Sequence, residues 1–169
     1  MRVLLPFLAA LVVAFVLLVP GTARAQVVLA GDVNVSVAAT PKLINTGAGG
    51  AIRLGYRVKI PLVALTPEVG GAYHHFGSSP AGEGIARGFG GARLAIGEIV
   101  KPSVFAHAGY GASVGTGGSA AFTYDVGAAL DFTALPVLDF GIHGSYASLA
   151  TGGAAIGWVD LGAQVAIVF

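Results

Sequence analysis

Hydrophobic and polar residues alternate with a period of two along most of this chain, most clearly at its end. Val159, Leu161, Ala163, Val165, Ile167 and Phe169 share one face, while Asp160, Gly162, Gln164 and Ala166 fall on the other, which is the period of a pleated strand. A strand that runs to a final aromatic residue needs a permanent partner, because chain ends otherwise fray into water. A closed barrel supplies one by pairing the last strand with the first. Eight alternating segments are predicted, at about residues 27–40, 51–62, 65–76, 86–97, 103–114, 121–132, 137–148 and 155–169. Each is near or above the ~9–11 residues that a tilted membrane-spanning strand requires.

The connections fall into two kinds. Those around Pro61 to Ala64, Gly97 to Pro102 and Thr133 to Pro136 are short and contain proline. Those from Pro41 to Gly50, Gly77 to Gly84, Gly115 to Ala120 and Leu149 to Ala154 are rich in glycine. The two kinds alternate strictly and each recurs about every 36 residues, so the chain reads as one hairpin repeated four times. Tyr73, Tyr110 and Tyr146 stand 37 and 36 residues apart, and His107-Ala-Gly-Tyr110 matches His143-Gly-Ser-Tyr146, with Gly70 at the equivalent place before Tyr73. These tyrosines at one end, with Phe132 and Phe169 at the other, read as two aromatic girdles.

Strand two fixes which face is inside. Ile52, Leu54, Tyr56, Val58, Ile60 and Leu62 point one way and Arg53, Gly55, Arg57 and Lys59 the other. A lipid-facing Arg or Lys at mid-depth costs about 2–4 kcal/mol, so the face with three cations is the lumen. In the same phase Arg87 and Arg93 agree within strand four and Asp125 and Asp131 within strand six, and Asp32, Glu68, Asp139 and Asp160 take the less apolar face of their strands. The expected lumen therefore holds five cations (Arg53, Arg57, Lys59, Arg87, Arg93) against six carboxylates (Asp32, Glu68, Asp125, Asp131, Asp139, Asp160), leaving Lys42, Glu83, Glu98 and Lys101 for loops and turns. An eight-stranded interior is just wide enough to be filled by its own side chains, and buried charges must pair. A packed charge network is expected in place of an open channel.

Composition decides between a soluble barrel and a membrane barrel. The chain is 55% hydrophobic and only 10% charged, with 27 glycines, whereas soluble domains carry about 25% charged residues on their surfaces. Residues 1 to 25 combine Arg2, an apolar run from Val3 to Pro20 and the small-x-small site Ala23-Arg24-Ala25, the three parts of a cleaved secretory signal peptide. The competing reading, an uncleaved anchor helix, needs ~20 apolar residues. Later apolar stretches are broken, as Gly127 to Leu138 is by Asp131 and Pro136. The domain then spans 26 to 169. Without Arg2 and Arg24 the nine basic residues become seven against eight acidic ones, a net charge of −1, which gives nucleic acid no basic surface. There is no cysteine, so neither disulfides nor thiolate metal sites are available.

The segments Leu65-Thr-Pro-Glu-Val-Gly-Gly-Ala-Tyr73, His107-Ala-Gly-Tyr110 and Val165-Ala-Ile-Val-Phe169 make the whole mature chain resemble the small outer-membrane β-barrel proteins similar to OmpX and the transmembrane domain of OmpA. The resemblance implies an all-β, eight-stranded antiparallel up-and-down transmembrane barrel in the cell outer membrane, monomeric, with both termini periplasmic. It also implies insertion by the outer-membrane assembly machinery, with Val165, Ile167 and Phe169 as the C-terminal assembly signal. The departures are Gln164, where that signal usually has glycine, and outer loops far shorter than those of adhesive relatives, so no adhesive role is carried over.

His143-Gly-Ser145 with Asp160 on the last strand resembles the His-x-Ser pair and last-strand acid of the lipid A deacylases, which are also eight-stranded outer-membrane barrels. A histidine that activates a serine, with an acid behind it, is an acyl-transfer arrangement. Here Tyr146 follows where that family has Asn, the acid is Asp at a different spacing, and the strand phase turns His143 and Ser145 inward. His107 reads as a hydrogen-bond partner in the lumen, because no second metal ligand lies at a fixed local spacing. His74 and His75 face opposite ways and cannot chelate together. Gly70-Gly71, Gly90-Gly91 and Gly117-Gly118 open no helix and so are not phosphate loops. The sequence points to a structural or envelope role without catalysis, cofactor or metal. The alternatives are a narrow ion or small-solute pore, a lipid A deacylase-like hydrolase using His143, Ser145 and Asp160, and a soluble secreted barrel.

Overall fold

The computed structural model describes residues 24–40, 46–60, 62–77, 83–114, 120–151 and 154–169. Most of the expected signal peptide, Pro61, Lys42 and much of the glycine-rich loops lie outside the described residues. Eight strands follow in chain order: β1 (Arg24–Ala38), β2 (Thr46–Ile60), β3 (Val63–Phe76), β4 (Glu83–Ile96), β5 (Val100–Val114), β6 (Ala121–Leu135), β7 (Leu138–Thr151) and β8 (Ala154–Val168). Each pairs antiparallel with its neighbours in sequence, and β8 returns to β1 to close the barrel. The β1–β8 ladder runs from Val28 opposite Val168 to Ala38 opposite Trp158. The Phe169 N–H extends it by donating to the Val27 carbonyl at 2.9 Å. The terminal strand thus has the partner its composition demands.

The strands reach further than their alternation marks. Gly77 to Gly84 and Pro41 to Gly50 were expected as loops, yet β2 begins at Thr46 and β4 at Glu83. Pro102, expected in a turn, lies in β5 with its Cα opposite Leu130 of β6. The β4–β5 ladder begins only at Ser103, so the N–H that proline lacks is not needed at that level. Pro67 interrupts the β2–β3 ladder, which breaks off at Glu68 and resumes at Leu65. The short turns are tight: Leu62 and Gly97 adopt φ of 70° and 99°, and the Gly97 N–H donates to the Leu62 carbonyl at 3.1 Å. These turns, with Arg24 and Phe169, define one end of the barrel, and the strand ends at Ala38, Phe76, Val114 and Thr151, the loop end, define the other.

Outward positions are apolar and exposed, among them Ile52, Leu54, Val69, Val104, Ile142 and Leu161. Tyr110, Phe122, Tyr124 and Tyr146 form a continuous aromatic row toward the loop end, with ring centroids 6.3, 6.4 and 6.5 Å apart. Tyr146 lies across Gly157 of the next strand, where a Cβ would stand 2.5 Å from the phenol oxygen. Tyr73 lies across Gly84 in the same way. Two of the three tyrosines that recur along the chain, Tyr73 and Tyr146, therefore repeat one packing device, while Tyr110 meets Phe122. Phe132 and Phe169 are exposed near the turn end.

Candidate functional site

Every second residue of each strand points into the lumen, and the inward charges stack in tiers along the barrel axis. At the turn end Asp139, on β7, accepts from Arg57 Nη2 at 2.9 Å and Lys101 Nζ at 2.6 Å on its Oδ2, and from the Thr133 hydroxyl at 2.8 Å on its Oδ1. In the middle tier Arg53 Nη2 lies 3.1 Å from Asp32 and donates to Gln164 Oε1 at 2.8 Å, while its Nη1 is 3.6 Å from Glu68. Arg93 reaches Glu68 at 3.6 Å and Asp131 at 3.9 Å, and donates to Ser103 at 3.2 Å. Gln164 completes the tier by donating to Asp131 at 2.5 Å.

One tier higher, His107 stands between two carboxylates. Its Nδ1 is 2.7 Å from Asp125 and its Nε2 is 2.7 Å from Glu68. Arg87 Nη1 meets the other oxygen of Asp125 at 2.5 Å. Phe89 and Phe105 flank the imidazole, with ring centroids 4.8 and 5.3 Å away. The guanidinium carbons of Arg87 and Arg93 lie over Phe89 and Phe105 at 5.2 and 4.6 Å, within cation–π range.

Toward the loop end polarity gives way to an apolar seal. Asp160 accepts from the Ser36 hydroxyl at 2.5 Å and from Trp158 Nε1 at 3.0 Å. His74 Nδ1 lies 3.1 Å from the same hydroxyl and its ring packs against Trp158 at 5.3 Å. Above them Phe76, Ile85, Ala147, Leu149 and Trp158 form one buried cluster, none more than 4% exposed. Charge patterning alone does not reveal this plug, but strand parity does, since Trp158 is two residues before Asp160 and Phe76 two after His74.

Of the predicted network residues, Asp32, Arg53, Arg57, Glu68, Arg87, Arg93, Asp125, Asp131, Asp139 and Asp160 all make lumenal ion pairs or hydrogen bonds. Two assignments need correction. Lys59 keeps the inward phase but sits at the rim, exposed, and forms no ion pair among the described residues. Lys101, expected in a turn, is buried and paired with Asp139, because β5 begins at Val100 and carries Lys101, Ser103, Phe105 and His107 on one face. One lysine replaces the other, and the lumen keeps five fixed cations against six carboxylates, with His107 between two of the latter.

Among the described residues no hydrogen bond joins the three groups of the acyl-transfer alternative. Ser145 is opposite Asp160 in the β7–β8 register, but both oxygens of Asp160 are engaged by Ser36 and Trp158. His143 Nδ1 is buried with no hydrogen-bond partner among the described residues. The enclosed space beside His74, Arg87, His143 and Ser145 is about 30 Å³, which is room for about one water molecule. Among the described residues no group of three or more His, Cys, Asp and Glu is placed to hold a metal ion.

No protein-family model matches the sequence, and no curated protein does either. Solved structures do share the fold. The Neisserial surface protein A, NspA, superposes over 87% of this chain and 99% of its own, with a TM-score of 0.62 and 15% identity. The outer membrane enzyme PagL does so over 80% and 98%, with a TM-score of 0.54 and 21% identity. Ail, the attachment invasion locus protein of Yersinia pestis, crystallised with the heparin analogue sucrose octasulfate, covers 85% and 98% at a TM-score of 0.50 and 18% identity. The chain thus has the fold of the small eight-stranded outer-membrane β-barrels. One of these neighbours is an enzyme, so the fold by itself leaves the chemistry open.

Proposed function

We propose that this chain is a monomeric, integral outer-membrane β-barrel with a filled lumen, and that its role in the envelope is structural and not catalytic. The observation that carries this reading is the double closure of the interior, by charge pairs from Asp139 to Asp125 and by the apolar plug around Trp158 above them. Among the described residues a lumen so filled leaves ions no continuous wet path, which weighs against the pore alternative. Two further features support residence in a bilayer. The outward face is apolar over most of its height, with His75 and Thr46 exposed toward the loop end, and closure leaves no strand edge to satisfy, as a spanning structure requires.

In this reading residues 1 to 25 are removed on export and Gln26 becomes the first residue of β1. The turn end, with both termini, faces the periplasm. Val165, Ile167 and Phe169, all outward and exposed, serve as the signal read by the assembly machinery. The decisive measurement is single-channel recording of the purified protein in a planar bilayer. No stable openings are expected, and reproducible openings would overturn the filled-lumen reading. Membrane residence is checked separately by extraction: recovery of the protein in buffer without detergent would overturn it, whereas a heat-dependent gel shift in the membrane fraction is expected.

A further inference from the structure

The mouth at the turn end carries more positive charge than its carboxylates offset. Arg57 and Lys101 share one oxygen of Asp139, at 2.9 and 2.6 Å, so one negative charge faces two positive ones. Lys59 follows Arg57 on the inward face of β2, exposed and without an ion pair among the described residues. These three cations, with Arg93, line a pocket of about 320 Å³ beside the turns at Leu62 and Gly97, within the size range of small-ligand sites, about 300–1,000 Å³. Its own carboxylates are Glu98 and Asp131. Asp131 is already engaged by Gln164 and Arg93, and Glu98 is an exposed turn residue. The rim is apolar: Ile60 and Leu62 are 52% and 72% exposed.

A cationic floor under an apolar rim fits an anion that carries hydrocarbon. Arg57 and Lys101 meet at Asp139 and Lys59 lines the same pocket; ammonium and guanidinium groups around one pocket favour phosphate, whose oxygens accept several charge-assisted hydrogen bonds at once. We propose that this pocket binds a phosphate group through Lys59, Arg57 and Lys101, with an anionic phospholipid headgroup or free phosphate as its source. The apolar rim favours the lipid, whose acyl chains would lie against Ile60 and Leu62. Only this lipid arm rests on the proposed membrane residence; the cation geometry stands without it.

The test uses the full barrel refolded in detergent, its folded state verified by heat-dependent gel mobility, and transferred to nanodiscs of phosphatidylglycerol or phosphatidylcholine. Lys59→Gln is the informative variant, because Lys59 supports no ion pair whose loss would disturb the fold. The folded protein is expected to retain phosphatidylglycerol in preference to phosphatidylcholine in native mass spectrometry. Lys59→Gln should weaken that retention about tenfold, the loss of one charge-assisted contact, and Glu98→Gln should strengthen it. Displacement of the lipid by inorganic phosphate would support the pocket and name the free ion as a ligand. Equal retention of both lipids with no phosphate binding, or unchanged binding by folded Lys59→Gln, would overturn the proposal. Phosphate binding by protein that needs no detergent would overturn membrane residence and leave the pocket standing.

Discussion

The bulky side chains of the lumen fit because glycines on neighbouring strands make room for them. A Cβ at Gly127 would stand 2.5 Å from the Phe105 ring, one at Gly91 2.7 Å from His107, and one at Gly162 2.7 Å from His143. Outward Gly88 has nothing within 4 Å of where its Cβ would be. Gly127→Ala should therefore cost about 1–3 kcal/mol through overpacking, whereas Gly88→Ala should be neutral or gain up to about 1 kcal/mol by restricting the unfolded chain. Urea midpoints of the two variants in the same detergent check this, and equal shifts would refute it. The charges separate in the same way. Arg53→Met leaves Asp32 and Glu68 short of a cation and should cost about 3–5 kcal/mol, while Lys59→Gln at the open rim should stay within about 0.5 kcal/mol. Parity placed both residues inside, and parity is all that a sequence offers here. It does not say how far along the axis the wall still encloses a side chain, which is why Lys59 and Lys101 exchanged roles.

At the scale of the strand, legibility depended on which residues carry a face. All eight strands were readable because Val, Ile, Leu, Tyr and Phe alternate with Gly, Ala and charge, and their order follows from strictly alternating connections. The ends were not readable, because glycine presents no side chain to either face: Thr46 to Gly50 is ladder, from Val37 opposite Thr46 to Val33 opposite Gly50, yet it looks like loop. Pro102 misled in the same sense by a different cause, since a proline is tolerated in β5 where its ladder to β4 has already ended. The pairing of β8 with β1 continues to Phe169. If Phe169 is a signal as well as a wall residue, its two roles separate experimentally. Phe169→Ala should lower the amount of heat-shifting barrel in cells severalfold, while the urea midpoint of the fraction that does fold moves by less than about 1 kcal/mol, as for an exposed side chain. A parallel loss of both would make Phe169 purely structural.

For the whole molecule the question is whether the two seals of the lumen act in series. The aromatic and aliphatic plug at the loop end closes by packing: Trp158 and Leu149 are at most 1% exposed and rest on Phe76 and Ile85, and Trp158 is tied to the charges below through Asp160. Beneath it the tiers from Asp125 to Asp139 are cross-braced by Arg53, Arg87 and Arg93, with two spaces of about 30 Å³ each among them and the wider pocket of about 320 Å³ only at the turn-end mouth. An ion would have to pass both, stripping water at the first and displacing a paired guanidinium at the second, each at a cost of several kcal/mol. Barriers in series mean that opening one leaves the other in control. Trp158→Ala should thus destabilise the barrel by about 3–5 kcal/mol, the usual cost of deleting a buried large aromatic, and still give no stable current in a planar bilayer at high salt. A current through folded Trp158→Ala would show that the charged tiers are permeable and that the plug alone closes the barrel. A silent Trp158→Ala paired with a conducting Trp158→Ala, Arg53→Ala double variant would place the second seal at the middle tier.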